Sequence, residues 1–112
     1  MELRQLQSEI GEWAQRKGWT FADDEIPEKL MLVTTELAEA MEDFRVNNHG
    51  MGWNEYRRDE KNKPYGFGIE IGDALIRLLH LCDDLDIDAQ AMVEIKMAYN
   101  EKREYRHGGK RA

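Results

Sequence analysis

The sequence has a single cysteine, Cys82, among its 112 residues. No internal disulfide can form, and so sparing a use of thiols fits a reducing compartment. Only two prolines occur and no tract is compositionally biased, which argues against a wholly disordered chain. Long hydrophobic runs are missing too. The longest, Phe67 to Cys82, is interrupted by Glu70, Asp73, Arg77 and His80, and is too short and too polar to span a bilayer. The opening MELRQLQSEI has no basic-then-apolar signal pattern, so a cytoplasmic protein is expected. Basic charge is also in short supply. Acids outnumber bases 23 to 16, a net charge of −7. That balance opposes non-specific binding to nucleic acid or to an anionic membrane. It leaves room for a small anionic ligand, because a bound metal inverts the local sign.

Several chemical signatures are absent. There is no P-loop, no Gly-x-Gly-x-x-Gly and no His-Glu-x-x-His. One cysteine cannot build a Cys/His zinc cluster. A carboxylate di-iron bundle needs two Glu-x-x-His pairs, and the sequence does not have two.

What is present is helical periodicity, and it runs through a chain of single-domain length, residues 1–112. Leu3, Leu6, Ile10, Trp13 and Ala14 recur at spacings of three and four, and Gly18 reads as the stop of this first helix. Pro27 suits the first turn of a second helix, to about Val46, with Leu30, Val33, Leu37, Met41 and Phe44 as its apolar stripe. Residues 47–66, rich in glycine and mixed charge, read as a flexible loop of functional length. A third helix, Phe67 to about Leu85, is apolar nearly all round and is expected to be the most buried. Asp86 or Asp88 caps a fourth, from Ala89 to about Tyr105, before a mobile basic tail at about 106–112. No β pattern is evident. The expectation is an all-α domain, a four-helix bundle, oligomeric because so short a chain buries a limited share of its surface.

Two acidic pairs stand out because their backgrounds are apolar. Glu36 and Glu39 lie within LMLVTTELAEAM, and Glu70 and Asp73 within GFGIEIGDALIRLL. In the third helix Glu70, Asp73, Arg77 and His80 form one narrow polar stripe, and in the second Glu36, Glu39 and Asp43 repeat the spacing. If the helices pack, the stripes can face each other. Buried carboxylates are costly unless paired or bound to a cation, and converging ones raise one another's pKa. A hard divalent ion, Mg²⁺ with Mn²⁺ as a substitute, resolves the conflict; the bland alternative is that both pairs face water at the edge of the core.

Cations follow in the fourth helix, where Lys96, Asn100 and Arg103 share a face. Arg106, His107, Lys110 and Arg111 continue them in the tail. Such cations complement a helix dipole, or they grip phosphate beside a metal site. Arg77 either balances the carboxylates or reaches a phosphate. Trp19 and Trp53 sit in loops and are candidates to stack on a base. Trp13 reads as core, as do His80 and Cys82.

The blocks LVTTELAEAMEDFR, GIEIGDALIRLL and KMAYNEKREYRHGGKR, in that order, resemble the MazG-like nucleotide pyrophosphohydrolases of the all-α NTP pyrophosphatase superfamily. The short single-domain forms of phages and bacteria are the nearest in kind. The similarity runs from about Trp13 to Lys110, on the signature Glu36-x-x-Glu39, Glu70-x-x-Asp73 and Lys96-x-x-x-Asn100-x-x-Arg103. It implies Mg²⁺-dependent cleavage of a nucleoside triphosphate between the α and β phosphates, giving the monophosphate and pyrophosphate. By the resemblance Glu36, Glu39, Glu70 and Asp73 hold the metal, and Glu36 or Glu39 also activates water. Lys96, Asn100 and Arg103, with Lys110 and Arg77 as further candidates, contact the substrate. Phage-like relatives suggest a purine deoxynucleotide such as dGTP. The resemblance further implies a homodimer or homotetramer in the cytoplasm of a bacterium or a phage-infected host. Two features depart from the family: Thr35 stands where a double acid often opens the first motif, and the gap between the acidic pairs is long. The competing reading is a non-catalytic helical module that binds nucleotide or a protein partner.

Overall fold

The computed structural model describes residues 2–19 and 25–103. Among these the chain forms α1 (Leu3–Arg16), α2 (Ile26–Arg45), α3 (Phe67–Asp84) and α4 (Ala89–Glu101). Between α2 and α3 lie a 3₁₀ turn, Asn47–Gly50, and a small hairpin of β1 (Arg57–Arg58) and β2 (Pro64–Tyr65). The protein is thus essentially all-α. None of its helices is long and apolar enough to cross a membrane among the described residues.

Local sequence explains where the helices stop. Lys17 caps α1, and Gly18 takes a left-handed φ of 75°. The amide of Gly18 then donates to the Gln15 carbonyl at 3.1 Å, and that of Trp19 to the Ala14 carbonyl at 2.9 Å. This is the glycine-dependent helix ending that the sequence predicts, and it folds Trp19 back onto Trp13. Pro27 sits in the first turn of α2, where its missing amide costs nothing. Asp88 caps α4, its Oδ1 accepting from the Ala91 amide at 3.1 Å.

α2 and α3 pack along each other, and α1 lies against α3. Ile10, Leu79 and Ala89 form one buried cluster of the core, with Leu3 and Cys82 packed on it. Gln7 ties α1 to the turn before α4. Its Nε2 donates to the Ile87 carbonyl at 2.7 Å and its Oε1 accepts from the Ala89 amide at 3.1 Å. Beyond this anchored first turn, residues 92–103 are all exposed.

Some expectations need correction. α4 ends at Glu101, not near Tyr105, which lies outside the described residues. Residues 47–66 contain built structure and a hairpin, whose strands are too short for an alternating pattern to register. α3 is not uniformly buried: Ala74, Leu79 and Leu81 are covered, whereas Leu75 is 52% exposed. The apolar stripe of α2 is likewise split. Val33 is buried, but Leu30, Leu37, Met41 and Phe44 are 48–55% exposed. What α2 buries instead is Val33, Glu36 and Ala40. Periodicity says which face of a helix is apolar; it cannot say whether the chain itself or another surface covers it.

The start of α3 is fixed from a distance. Asn48 is fully buried; its Oδ1 accepts from the Phe67 amide at 2.8 Å and its Nδ2 donates to the Gly52 carbonyl at 2.9 Å. It thus caps α3 from nineteen residues away. To reach there, Asn47, Asn48 and His49 all take left-handed φ angles of 53°, 50° and 56°. Asparagine tolerates that region better than most residues because its short side chain can bond locally.

Candidate functional site

The two acidic stripes do meet. Glu36 on α2 and Glu70 on α3 are 7% and 8% exposed, within the packed interface of the two helices. Asp73, one turn further along α3, opens onto a cavity beside them. One carboxylate oxygen from each of Glu36, Glu70 and Asp73 lies within 4.8 Å of the other two. Oxygens around one octahedral Mg²⁺, at about 2.1 Å from it, stand about 3 Å apart when adjacent and about 4 Å when opposite. The triad is therefore close to the spacing that one hard divalent cation takes.

Electrostatics describe the same convergence. The Glu70 carboxyl is pushed up to about 7, first by burial and then by the Glu39 carboxyl against it, with Asp73 and Glu36 adding repulsion. Glu70 Oε2 is sealed from solvent with no hydrogen-bond partner. An orphaned buried carboxylate oxygen is expensive, and a cation would relieve it. Asp73 is raised as well, by the crowded crevice around it and then by Glu36, while Arg77 and Lys63 pull it down.

Arg77 crosses from α3 to α2, its Nε donating to Glu36 Oε1 at 2.9 Å. His80, a further turn along, sits 3.1 Å from Asp84 through Nε2. Thr35 turns its hydroxyl to its own helix and donates to the Met31 carbonyl at 3.3 Å.

The cavity beside the triad has a volume of about 320 Å³ and is lined by Trp13, Trp19, Glu36, Asp73, Ile76, Arg77 and His80. The two indoles meet edge to face, centroids 4.7 Å apart. One side of the cavity is thus acidic with one arginine, and the other aromatic. Trp13 and His80, which read as core in the sequence, both line it. For His80 the signal was there, since it continues the stripe of Glu70, Asp73 and Arg77. For Trp13 none was, because an apolar helix position looks the same whether it meets a core or a cavity.

Other candidates lie elsewhere. Trp53 packs on Phe44 and Phe67, with centroids 6.2 Å and 5.0 Å away, and does not line the cavity. Lys96, Asn100 and Arg103 are exposed on α4 and do not line it either. Lys96 and Arg103 stand over the Tyr99 ring at 4.9 Å and 5.7 Å. Lys110 is outside the described residues.

No protein-family model matches the chain, and neither a curated protein nor a solved structure matches it.

Proposed function

We propose that this chain is a Mg²⁺-dependent nucleoside triphosphate pyrophosphohydrolase of the MazG-like all-α kind, yielding a nucleoside monophosphate and pyrophosphate. One observation carries the reading: Glu36, Glu70 and Asp73 converge from two helices, and Glu36 and Asp73 line a cavity that two tryptophans also line. The volume of that cavity, about 320 Å³, falls in the range of small-ligand sites.

Glu36, Glu70 and Asp73 are the residues that would hold the ion. Mg²⁺ bound there supplies Lewis-acid polarisation of phosphate oxygens and acidifies a coordinated water. Glu39 is exposed to water yet lies against Glu70, and it serves as general base. Water oxygen bonds to a phosphorus of the α–β bridge as the bridging P–O bond breaks, and the water proton passes to Glu39. Arg77 faces the cavity and steadies phosphate oxygens. The base stacks against Trp13 and Trp19, a contact that any aromatic base can make, a purine deoxynucleotide such as dGTP included.

A homodimer or homotetramer belongs to the same reading. Leu37, Met41 and Phe44 on α2 border an open apolar groove with Phe67 and Ile71 of α3, and Ile95 and Met97 on α4 are 64% and 65% exposed. Surfaces of this kind are normally covered. In such an assembly Lys96, Asn100 and Arg103 reach the site of a neighbouring copy.

The test is pyrophosphate release from a panel of ribo- and deoxyribonucleoside triphosphates, with and without Mg²⁺. Glu39→Ala and Asp73→Ala should each lower turnover at least about 100-fold while helicity by circular dichroism is kept. Folded wild-type protein that turns over none of the panel rejects the reading.

A further inference from the structure

The cavity beside the acids holds one polar side chain that the proposed chemistry leaves without a task. Of the described residues that line it, Glu36 and Asp73 serve the ion, Arg77 the phosphates, and Trp13 and Trp19 the base rings. Ile76 offers only apolar surface. His80 remains. Indole faces accept any base, so the tryptophans hold a nucleotide without choosing one. A neutral imidazole carries one donor and one acceptor. A group of that kind discriminates, because a ligand lacking the matching atom leaves it unpaired.

The ring of His80 is held in place. Its Nε2 lies 3.1 Å from Asp84 Oδ2, one turn on at the end of α3, and the two side chains are only 19% and 25% exposed. An ionised carboxylate can only accept, so Asp84 keeps a proton on Nε2 and fixes the orientation of the imidazole. Helical register then orders the cavity. Asp73, Arg77 and His80 follow one another on one face of α3, and all three line it. At a rise of about 1.5 Å per residue, Arg77 stands about 6 Å and His80 about 10 Å along the axis from Asp73. One helix thus changes along the cavity from carboxylate to guanidinium to imidazole. A nucleotide whose phosphates lie at the acidic end brings its nucleoside to His80.

We infer that His80 is the specificity-determining residue of the cavity, hydrogen-bonding the nucleoside part of the ligand while Asp84 holds its ring. The inference rests on the pyrophosphohydrolase reading for its substrate class. The group it recognises is a hydroxyl of the sugar or a polar atom on the base edge, both of which an imidazole can pair. Affinity for the phosphate end is left to the ion and Arg77, and stacking to the tryptophans.

Calorimetric binding to the full chain in Mg²⁺ tests it, with ribo- and deoxyribonucleoside monophosphates of each base as one set of probes and inorganic pyrophosphate as the other. The variants are His80→Phe, which keeps a ring without its hydrogen bonds, His80→Ala and His80→Gln. His80→Phe and His80→Ala should each weaken the best-bound monophosphate by roughly 10-fold and leave pyrophosphate affinity unchanged. His80→Gln, which restores a donor and an acceptor, should recover much of the loss. A loss equal across bases but larger for ribonucleotides assigns the contact to the sugar, and a loss confined to one base assigns it to the base edge. Wild-type affinity for every monophosphate in either folded variant overturns the inference. So does an equal loss for pyrophosphate, or a wild-type chain that binds no monophosphate. If monophosphates bind in a His80-dependent way but no triphosphate releases pyrophosphate, the hydrolase reading falls and the role of His80 stands.

Discussion

Arg77 and Glu36 are joined across forty-one residues of sequence by an Nε to Oε1 hydrogen bond of 2.9 Å. Glu36 is among the most buried charged groups of the protein, while the Arg77 side chain is 43% exposed. The pair bolts α3 to α2 beside the acidic triad, and it engages one oxygen of a residue we assign to the metal.

Removing Arg77 should therefore weaken the metal-free fold. Arg77→Gln leaves Glu36 buried with no compensating charge. Because the arginine is partly in water, the cost is set at about 1–2 kcal/mol rather than the larger figure for a fully buried pair. Thermal melting in chelator should show a lower midpoint, and added Mn²⁺ should recover part of it, since a ligand of the folded state stabilises it. A loss that Mn²⁺ leaves untouched would separate Glu36 from the metal.

Glu70 gives a pH dependence whose sign can be worked out. Its carboxyl titrates near 7 in the folded chain, against an ordinary value of 4.5. Between those values the folded state holds the proton and the unfolded state does not. Stability without metal should therefore fall as pH rises from about 4.5 to about 7, then level off. Glu70→Gln should flatten this slope, measured by chemical denaturation between pH 5 and pH 8. Mn²⁺ binding should strengthen over the same window, because the ion competes with the proton.

Asn48 is the remote cap of α3. Asn48→Ala removes one partner each from the Phe67 amide and the Gly52 carbonyl, whose bonds to the fully buried Asn48 side chain are themselves part-buried. The expected loss is about 2–3 kcal/mol by denaturant titration. Hydrogen exchange at the first turn of α3 should rise more than exchange in α1. Equal changes in both would mean a global effect.

The exposed apolar faces predict association. Sedimentation equilibrium should give a mass that is a multiple of 13.2 kDa. Met41→Asp, which puts a charge into the groove that Met41 shares with Phe44 and Phe67, should shift the mass toward that of one chain. A wild-type mass of 13.2 kDa at high concentration would refute the assembly.

Much of this was legible in the residues. The helix ends at Gly18, Pro27 and Asp88 follow from backbone chemistry that acts within a few positions, and they stand where local rules put them. The acidic spacing on apolar helices likewise allowed two facing stripes, because period puts each set of acids on one face of its helix. The triad of Glu36, Glu70 and Asp73 answers to that, with Glu39 against Glu70 at its edge.

Other features depend on contacts between residues far apart in the chain, and local pattern carries no record of those. Asn48 looks like any loop asparagine until the Phe67 amide is found beside its side chain. Trp13 and Trp53 are both large aromatics, yet one lines the cavity and the other packs beneath the hairpin's root, on Phe44 and Phe67. Leu37 and Met41 satisfy every rule for a core face and still stand half exposed. Sequence by itself determined the helices, the boundaries at Gly18, Pro27 and Asp88 and which acids could converge, since these rest on backbone propensity and period. Only the tertiary structure decided which aromatic lines the cavity beside the acids and which apolar face the chain leaves bare, since each is set by how the helices pack across long separations.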